Sequence, residues 1–555
     1  MNDHTPHWNK KMEIGTSGVN NVRDAIQLRD RLNRRSLVRL VILVSFLLNH
    51  GTGYAAAPDA VPGKSEDSRG LPTTAASKVV DELTAERVEL ERQRKVIDEK
   101  LANLDARLRG QTNLKPNPPD SSTGLIESPH PNEPATQPTA APSQEIKQST
   151  AHGQTTVITE KHDTFHAPYA GPNSLPRHEG EATSVTATLF LGTRVWNGGE
   201  VYFNPEISGG QGFGGVTGLA GFSNGEIPRV GTPEPRPYVA RLFLRQTFDL
   251  GGGKEYVEDA PNQIAGFHDA RRLVVTAGKF GAIDFFQSNN FSNDPRAQFE
   301  NWALFTNGAW DYPADVRGYT QGAAIEYTEP KWTLRYAAMT EPTQANGGTF
   351  DSRIPAALGH AVEFERRYSF QDHPGVVRVM GYANSAHMGN YRQAIDRAVG
   401  SIPDVTKTRG YRIKYGFGLS ADQEITKDLG IFARLGWNDG HTETWAFTEI
   451  DESASLGLSL KGTRWHRADD VVGIAGVLNG LSQDHRDYLR AGGRGFIIGD
   501  GRLHYGLEKI VEGYYLIKLA DHIFVTADAQ YIANPAYNQD RGPVFVGGIR
   551  VHIEF

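Results

Sequence analysis

The last eleven residues of the chain alternate between apolar and polar side chains. In an extended strand, where successive side chains point to opposite sides, one side carries Phe545, Gly547, Ile549, Val551, Ile553 and Phe555, and the other carries Val546, Gly548, Arg550, His552 and Glu554. In a soluble sandwich the apolar side covers a core and the charged side faces water. In an outer-membrane barrel the apolar side faces lipid and the charged side faces a wet interior.

The same period of two residues recurs from about residue 185 to the end of the chain, between clusters of Gly, Asn, Asp and Pro. Five further segments show it clearly: 332–338, 411–419, 431–437, 456–460 and 523–531. Several of the apolar sides carry an aromatic residue near one end, as the girdles of membrane barrels do. Because an open sheet edge in lipid would leave backbone groups unpaired, these strands are expected to close into a ring.

The number of strands follows from the length of this region. Residues 180–555 allow roughly 23 residues for each strand and its connection if there are sixteen strands, and about 21 if there are eighteen. The sequence therefore predicts an all-β fold over 181–555, an antiparallel outer-membrane β-barrel of about sixteen strands, with eighteen as the alternative. A barrel of that size leaves an aqueous channel. Its terminal Phe555 is predicted to be the signal that the assembly machinery reads.

The first 55 residues have the order of a secretory signal peptide. A basic stretch containing Arg34 and Arg35 precedes the apolar run 40–48, and small residues follow near Ala55. The run is too short to span a bilayer, although a single N-terminal anchor helix is the alternative. We expect a signal peptide over 1–55, followed by a flexible segment over 56–77.

A heptad pattern and a proline-rich stretch come next. Leu83, Leu90, Ile97 and Leu104 are spaced by seven residues, which predicts a coiled-coil helix over 78–110. The alternative is a lone amphipathic helix lying on another surface. Residues 111–180, rich in Pro, Thr, Ser, Gln and Asn, are predicted to be a disordered linker. Such an arm would lie in the periplasm and reach a periplasmic or cell-wall partner.

Composition excludes several classes of function. The chain has no cysteine, which removes thiol catalysis, cysteine-bound metal and disulfides. A net charge of -7 gives no overall basic field for nucleic acid. The run 210–215 has the spacing G-x-G-x-x-G, but no helix pattern follows it, so it is interpreted as a loop. Since no metalloprotease or nucleophile-elbow motif occurs either, we expect no enzyme activity, no metal site and no cofactor.

Charged residues on the predicted strands are the first candidates for the channel wall. A charge facing lipid near the midplane is costly, so these residues are predicted to face the channel: Glu326, Arg335, Arg412, Arg434, Glu508, Glu512 and Arg550. The alternative is that each merely hydrates the interior. Replacing Arg434 or Arg335 by Ala is expected to change ion selectivity with little loss of stability.

Aromatic residues beside carboxylates are the second set of candidates. Trp302, Trp310, Asp311 and Asp315 combine rings that stack on the C–H faces of sugars with groups that bind hydroxyls. The alternative is that the rings pack a loop and the carboxylates cap turns, which Pro313 favours.

Four motifs carry a resemblance to a known family: 201–206 (VYFNPE), 218–226 (GLAGFSNGE), 307–319 (NGAWDYPADVRGY) and 530–543 (QYIANPAYNQDRGP). Together, and in this order, they resemble the carbohydrate-selective porin family of the OprB type over roughly 185–555. The resemblance implies a 16-stranded outer-membrane barrel, usually a homotrimer, that passes monosaccharides or related small polar solutes. Two other functions stay open: a pore for polysaccharide export, and an envelope-tethering barrel that acts through its coiled coil.

Overall fold

The structure, a computed structural model, describes residues 145–227 and 233–555. The predicted signal peptide, flexible segment and coiled-coil helix, together with residues 111–144 of the predicted linker, lie outside the described residues. No helix of the described part is long and apolar enough to cross a membrane.

In the described part of the chain, sixteen strands form one closed antiparallel barrel, and two more form a small separate sheet. The prediction of an all-β barrel with about sixteen strands is confirmed. The barrel strands are β1 (Ser149–His162), β2 (Ala182–Trp196), β3 (Gly199–Gly210), β4 (Arg236–Asp249), β7 (Arg272–Phe280), β8 (Thr320–Glu329), β9 (Trp332–Thr340), β10 (Leu358–Phe370), β11 (His373–Ala386), β12 (Arg412–Glu424), β13 (Leu429–Asn438), β14 (Glu452–Gly462), β15 (Arg467–Gly480), β16 (Glu508–Ala520), β17 (Ile523–Ala533) and β18 (Val544–Glu554). The small sheet consists of β5 (Lys254–Val257) and β6 (Gly266–Asp269).

The predicted boundary between linker and barrel is wrong, because the first strand lies inside the segment 111–180. β1 pairs with β2 on one side and with β18 on the other, from Gln154 opposite Glu554 to His162 opposite Val546. No proline occurs between Pro142 and Pro168, and the β-branched residues at 155–159 suit a strand. Without β1, the edges of β2 and β18 would be unpaired in lipid.

The outer surface is an apolar belt of side chains that alternate with buried ones, as the sequence predicts. Large exposed residues occur on almost every strand: Leu189, Phe203, Leu242, Leu244, Ile325, Leu334, Val362, Phe364, Val379, Phe417, Leu435, Leu456, Ile474, Val511, Phe545 and Ile549. Exposed aromatic side chains, including Trp196 and Phe370, lie where strands end. A surface of this kind suits lipid rather than water.

The two ends of the barrel differ in their connections. At the end where β1 starts and β18 finishes, six of the seven connections have two to four residues. The seventh is the connection 250–271, which contains β5 and β6. The long loops at the opposite end contain the short helices α1 (Trp302–Phe305), α2 (Tyr391–Arg397) and α3 (Gln483–Arg490). We refer to the two ends as the short-turn end and the long-loop end.

Candidate functional site

The longest loop, residues 281–319, lies inside the barrel, and we call it the folded-in segment. Its backbone binds carboxylates that the strands point inward. Glu512 of β16 accepts hydrogen bonds from the backbone N–H groups of Glu300, at 2.5 Å, and Asn301, at 3.0 Å. Because alternate side chains of a strand point inward, the wall can supply such groups without disturbing the lipid face. These contacts hold the folded-in segment inside the barrel, where it divides the interior of the barrel.

Two inward arginines bind the carbonyl groups of the same segment. Arg434 of β13 donates to the Leu304 carbonyl at 2.7 Å and also to those of Gln287 and Ser292. Arg550 of β18 donates to the Pro295 carbonyl at 2.7 Å. A guanidinium presents several donors in a fixed plane, so one side chain can hold several carbonyl groups of an irregular loop.

Glu508 and Arg412 hold other loops in the same way. Glu508 accepts from the N–H groups of Ala220 at 2.9 Å and Gly221 at 2.8 Å. Arg412 donates to the carbonyl groups of Met388 at 3.2 Å and Thr408 at 3.1 Å. Together with Arg434, Glu512 and Arg550, these two candidates face the interior, but the structure places all five away from the open cavity.

Three of the aromatic and acidic candidates also make packing contacts and hydrogen bonds within the protein and do not line the cavity. Trp310 is buried and lies edge-on to Phe286. Asp311 accepts from two N–H groups of the loop 439–451, at 2.8 and 2.7 Å, and Asp315 accepts from the N–H of Arg317 at 2.9 Å. Burial raises the pKa of both the Asp311 and the Asp315 carboxyl. These contacts correspond to the alternative in which rings pack the loop and carboxylates cap its turns.

An open cavity of about 980 Å³ occupies the other side of the interior. It lies between the folded-in segment and the inward sides of β2–β4 and β7–β9. Three of the predicted residues, Trp302, Glu326 and Arg335, line it. The cavity wall is mixed, with aromatic rings, guanidinium groups and carboxylates side by side.

Aromatic rings form two stacks on the cavity wall. Phe447 lies 4.8 Å from Trp302 and 4.8 Å from Tyr312, with nearly parallel planes. On the other wall, Tyr202 and Phe243 stack at 5.0 Å. Of these five rings, only that of Trp302 was predicted from the sequence. Phe447 could not have been predicted from the local sequence pattern, because it belongs to the loop 439–451, which is distant in sequence from Trp302 and Tyr312.

Strand β4 carries an alternating row of rings and arginines along the cavity. Arg241, Phe243 and Arg245 point inward while Leu242 and Leu244 face outward. Arg241 pairs with Asp284 at 2.6 Å. This row was not among the residues predicted from the sequence, although the alternation over 241–245 is visible there and would have predicted it.

Two guanidinium groups of the cavity have no carboxylate within 4 Å in the described part of the chain. Arg317 lies on the ring of Tyr238, 4.0 Å from its centre, and donates to a serine hydroxyl. Arg245 lies 5.0 Å from the centre of the Tyr202 ring and donates to the Asn262 carbonyl. Ring faces attract a guanidinium without neutralising it. These two side chains are therefore the least compensated positive charges on the wall.

Arg335 has the opposite environment, because it bridges three carboxylates. It lies 2.8 Å from Glu326, 3.2 Å from Glu363 and 2.9 Å from Glu365. We expect Arg335→Gln to raise the permeability of cations relative to anions severalfold, since the wall then holds uncompensated negative charge. The reversal potential in a KCl gradient measures this ratio. An unchanged ratio would show that these carboxylates do not act on the permeating ions.

Comparisons with known proteins identify a matching family model and similar solved structures. The model of the OprB family, described as carbohydrate-selective porins, matches residues 182–555. The high-pH structure of OprB from Pseudomonas putida is similar with a TM-score of 0.54 and 15% identity, covering 74% of this chain and 94% of that one. The outer membrane channel DcaP of Acinetobacter baumannii matches with a TM-score of 0.42 and 10% identity, covering 73% and 97%. No curated protein sequence matches the chain.

Proposed function

Because the chain belongs to the OprB family of carbohydrate-selective porins, we propose that its cavity passes monosaccharides and related small polar solutes. The chain is an outer-membrane porin by family, and its barrel has the fold of the P. putida protein. The observation that carries the proposal of sugars is the wall of the cavity, on which aromatic rings alternate with charged groups.

A sugar has two kinds of surface, and this wall offers a partner for each. The C–H faces of a pyranose ring are apolar and suit aromatic side chains such as that of Tyr238, which lines the cavity and is half-buried. Its hydroxyl groups both donate and accept hydrogen bonds, so they suit guanidinium groups and carboxylates together. Arg241 with Asp284, and Arg335 with Glu326, supply such pairs beside the rings. Weak contacts at several positions favour passage, because tight binding at one position would retain the solute.

Swelling of proteoliposomes in sugars of rising size tests the proposal. We expect rapid swelling with glucose and other monosaccharides and a steep fall for larger oligosaccharides. Single-channel recordings with the same sugars as blockers then report whether they enter the cavity. Swelling that is equally fast for long oligosaccharides would favour the export of polymers instead, and no swelling with any sugar would refute the proposal.

The two uncompensated arginines should dominate ion selectivity. We expect Arg317→Gln combined with Arg245→Gln to lower the permeability of anions relative to cations severalfold, because both charges lie on the wall. Reversal potentials in a KCl gradient measure the change. Arg490→Gln, in helix α3 and outside the cavity, is the matched control and should change nothing. A double variant that behaves like this control would contradict the assignment.

A further inference from the structure

The connection 250–271 is unlike every other connection at the short-turn end, and we call it the turn insertion. The hairpins β8–β9, β10–β11 and β16–β17 each turn with two residues there. β4 and β7 are likewise direct neighbours in the barrel, paired as far as Asp249 opposite Arg272. A short turn would therefore suffice to join them, and the additional residues serve something other than strand pairing.

Part of the turn insertion lines the cavity from the short-turn end. Pro261, Asn262, Gln263 and Ile264 line the cavity, and Ile264 is 1% exposed. Two arginines of the barrel wall hold this stretch in place: Arg245 donates to the Asn262 carbonyl at 2.9 Å and Arg194 donates to the Ala265 carbonyl at 3.2 Å. Residues 262–265 are thus fixed against the inner side of the barrel wall, whereas residues 250–255 are exposed.

A second set of contacts ties the turn insertion to the residues that lead into β1. The Lys147 ammonium lies 2.7 Å from the Asp259 carboxylate, and His152 lies 3.3 Å from the same group. The Lys147 N–H donates to the Ala265 carbonyl at 3.0 Å, and the Tyr256 hydroxyl donates to the Glu145 carbonyl at 3.0 Å. The turn insertion is therefore attached to β1 and the residues before it as well as to β2 and β4.

We infer that the turn insertion narrows the channel and sets the largest solute that can leave the cavity at the short-turn end. This inference rests on the proposed function. Solutes that pass the rings and charges of the middle of the channel must still pass the backbone at 261–264. Because several hydrogen bonds and an ion pair hold that backbone, its opening has a defined size. The turn insertion then selects solutes by size, whereas the rings and charges of the cavity wall select them by their chemistry.

Replacing 250–271 by Asn-Gly, a sequence suited to two-residue hairpins, tests this inference. The expected result is a severalfold higher conductance and swelling with sugars that the unaltered protein excludes, while monosaccharides still enter. An unchanged size limit would overturn the inference and leave the proposed function standing. If the unaltered protein admits no sugar at all, the proposed function fails whatever the deletion does.

A cysteine scan keeps the inference testable even where the deletion does not assemble. The chain has no cysteine, so a single one can be modified selectively. Gln263→Cys lies on the cavity wall, whereas Asp521→Cys lies in a two-residue turn at the same end. We expect a bulky anionic methanethiosulfonate to block more than half of the current through the first variant and none through the second. Complete modification of the thiol in the Gln263→Cys variant, verified by mass spectrometry, without any block would overturn the inference.

Discussion

Arg434→Ala is expected to raise the single-channel conductance severalfold and to destabilise the barrel. The side chain is buried and donates to carbonyl groups of the folded-in segment, including that of Leu304 at 2.7 Å. Its removal leaves several carbonyl groups without a donor, which costs about 3 kcal/mol of the free energy of unfolding. The segment then leaves its position beside the cavity. Planar-bilayer recordings and thermal unfolding measure both effects.

This expectation reverses the one drawn from sequence, in which the loss of Arg434 changes selectivity with little loss of stability. That prediction assumed that the Arg434 side chain extends into the channel without contacting a loop. Arg464→Ala, in a surface turn of the short-turn end, is the control and should leave conductance and unfolding temperature unchanged. Normal conductance together with normal stability of Arg434→Ala would show that the folded-in segment is held without this arginine.

Removing the terminal Phe555 side chain is expected to reduce the amount of folded barrel severely. Its backbone exchanges two hydrogen bonds with Gly153, at 2.8 and 2.9 Å, which close the ring of strands. Its ring covers Gly153 so closely that a side chain there would approach within 2.4 Å. We therefore expect Phe555→Ala and Gly153→Leu each to lower the heat-modifiable, folded fraction in outer membranes, as measured by electrophoresis.

Comparing the two variants separates recognition from packing. If Phe555 acts mainly as the predicted assembly signal, purified Phe555→Ala refolds normally in detergent, whereas Gly153→Leu does not. If it acts mainly by packing on the seam, both fail in detergent as well. Phe545→Ala, on the lipid-facing side of the same strand and 50% exposed, is the control. Folding of both variants at the normal level in membranes would contradict both roles.

The fold was largely predictable because lipid outside and water inside impose a period of two on each strand. The stretch 411–419 shows why: Ile413, Tyr415 and Phe417 are exposed, whereas Lys414 is fully buried. β1 escaped prediction because its outward side carries small or polar residues and a single large apolar one, Val157, while its inward side carries Ile158. The contrast between its two sides is too weak to be recognised without its neighbours.

The site was less predictable, because local alternation tells which residues point inward but not what meets them there. Glu326 and Arg434 are equivalent in the sequence pattern, yet the first lines the cavity and the second is covered by the folded-in segment. The contact that distinguishes them joins residues 130 positions apart. Such a contact depends on the path of a loop without regular structure, for which the sequence has no periodic signature.

The seam between β1 and β18 also bears on the order in which the molecule forms. Thr156 and His552 meet across it although 396 residues separate them, whereas nearly all other neighbouring strands are joined by a single connection. Each hairpin can therefore form from residues that are close in sequence. The pairing of β1 with β18 alone carries the entropic cost of closing a very long loop. Ring closure, the pairing of β1 with β18, is then the slow, final event in the folding of the barrel.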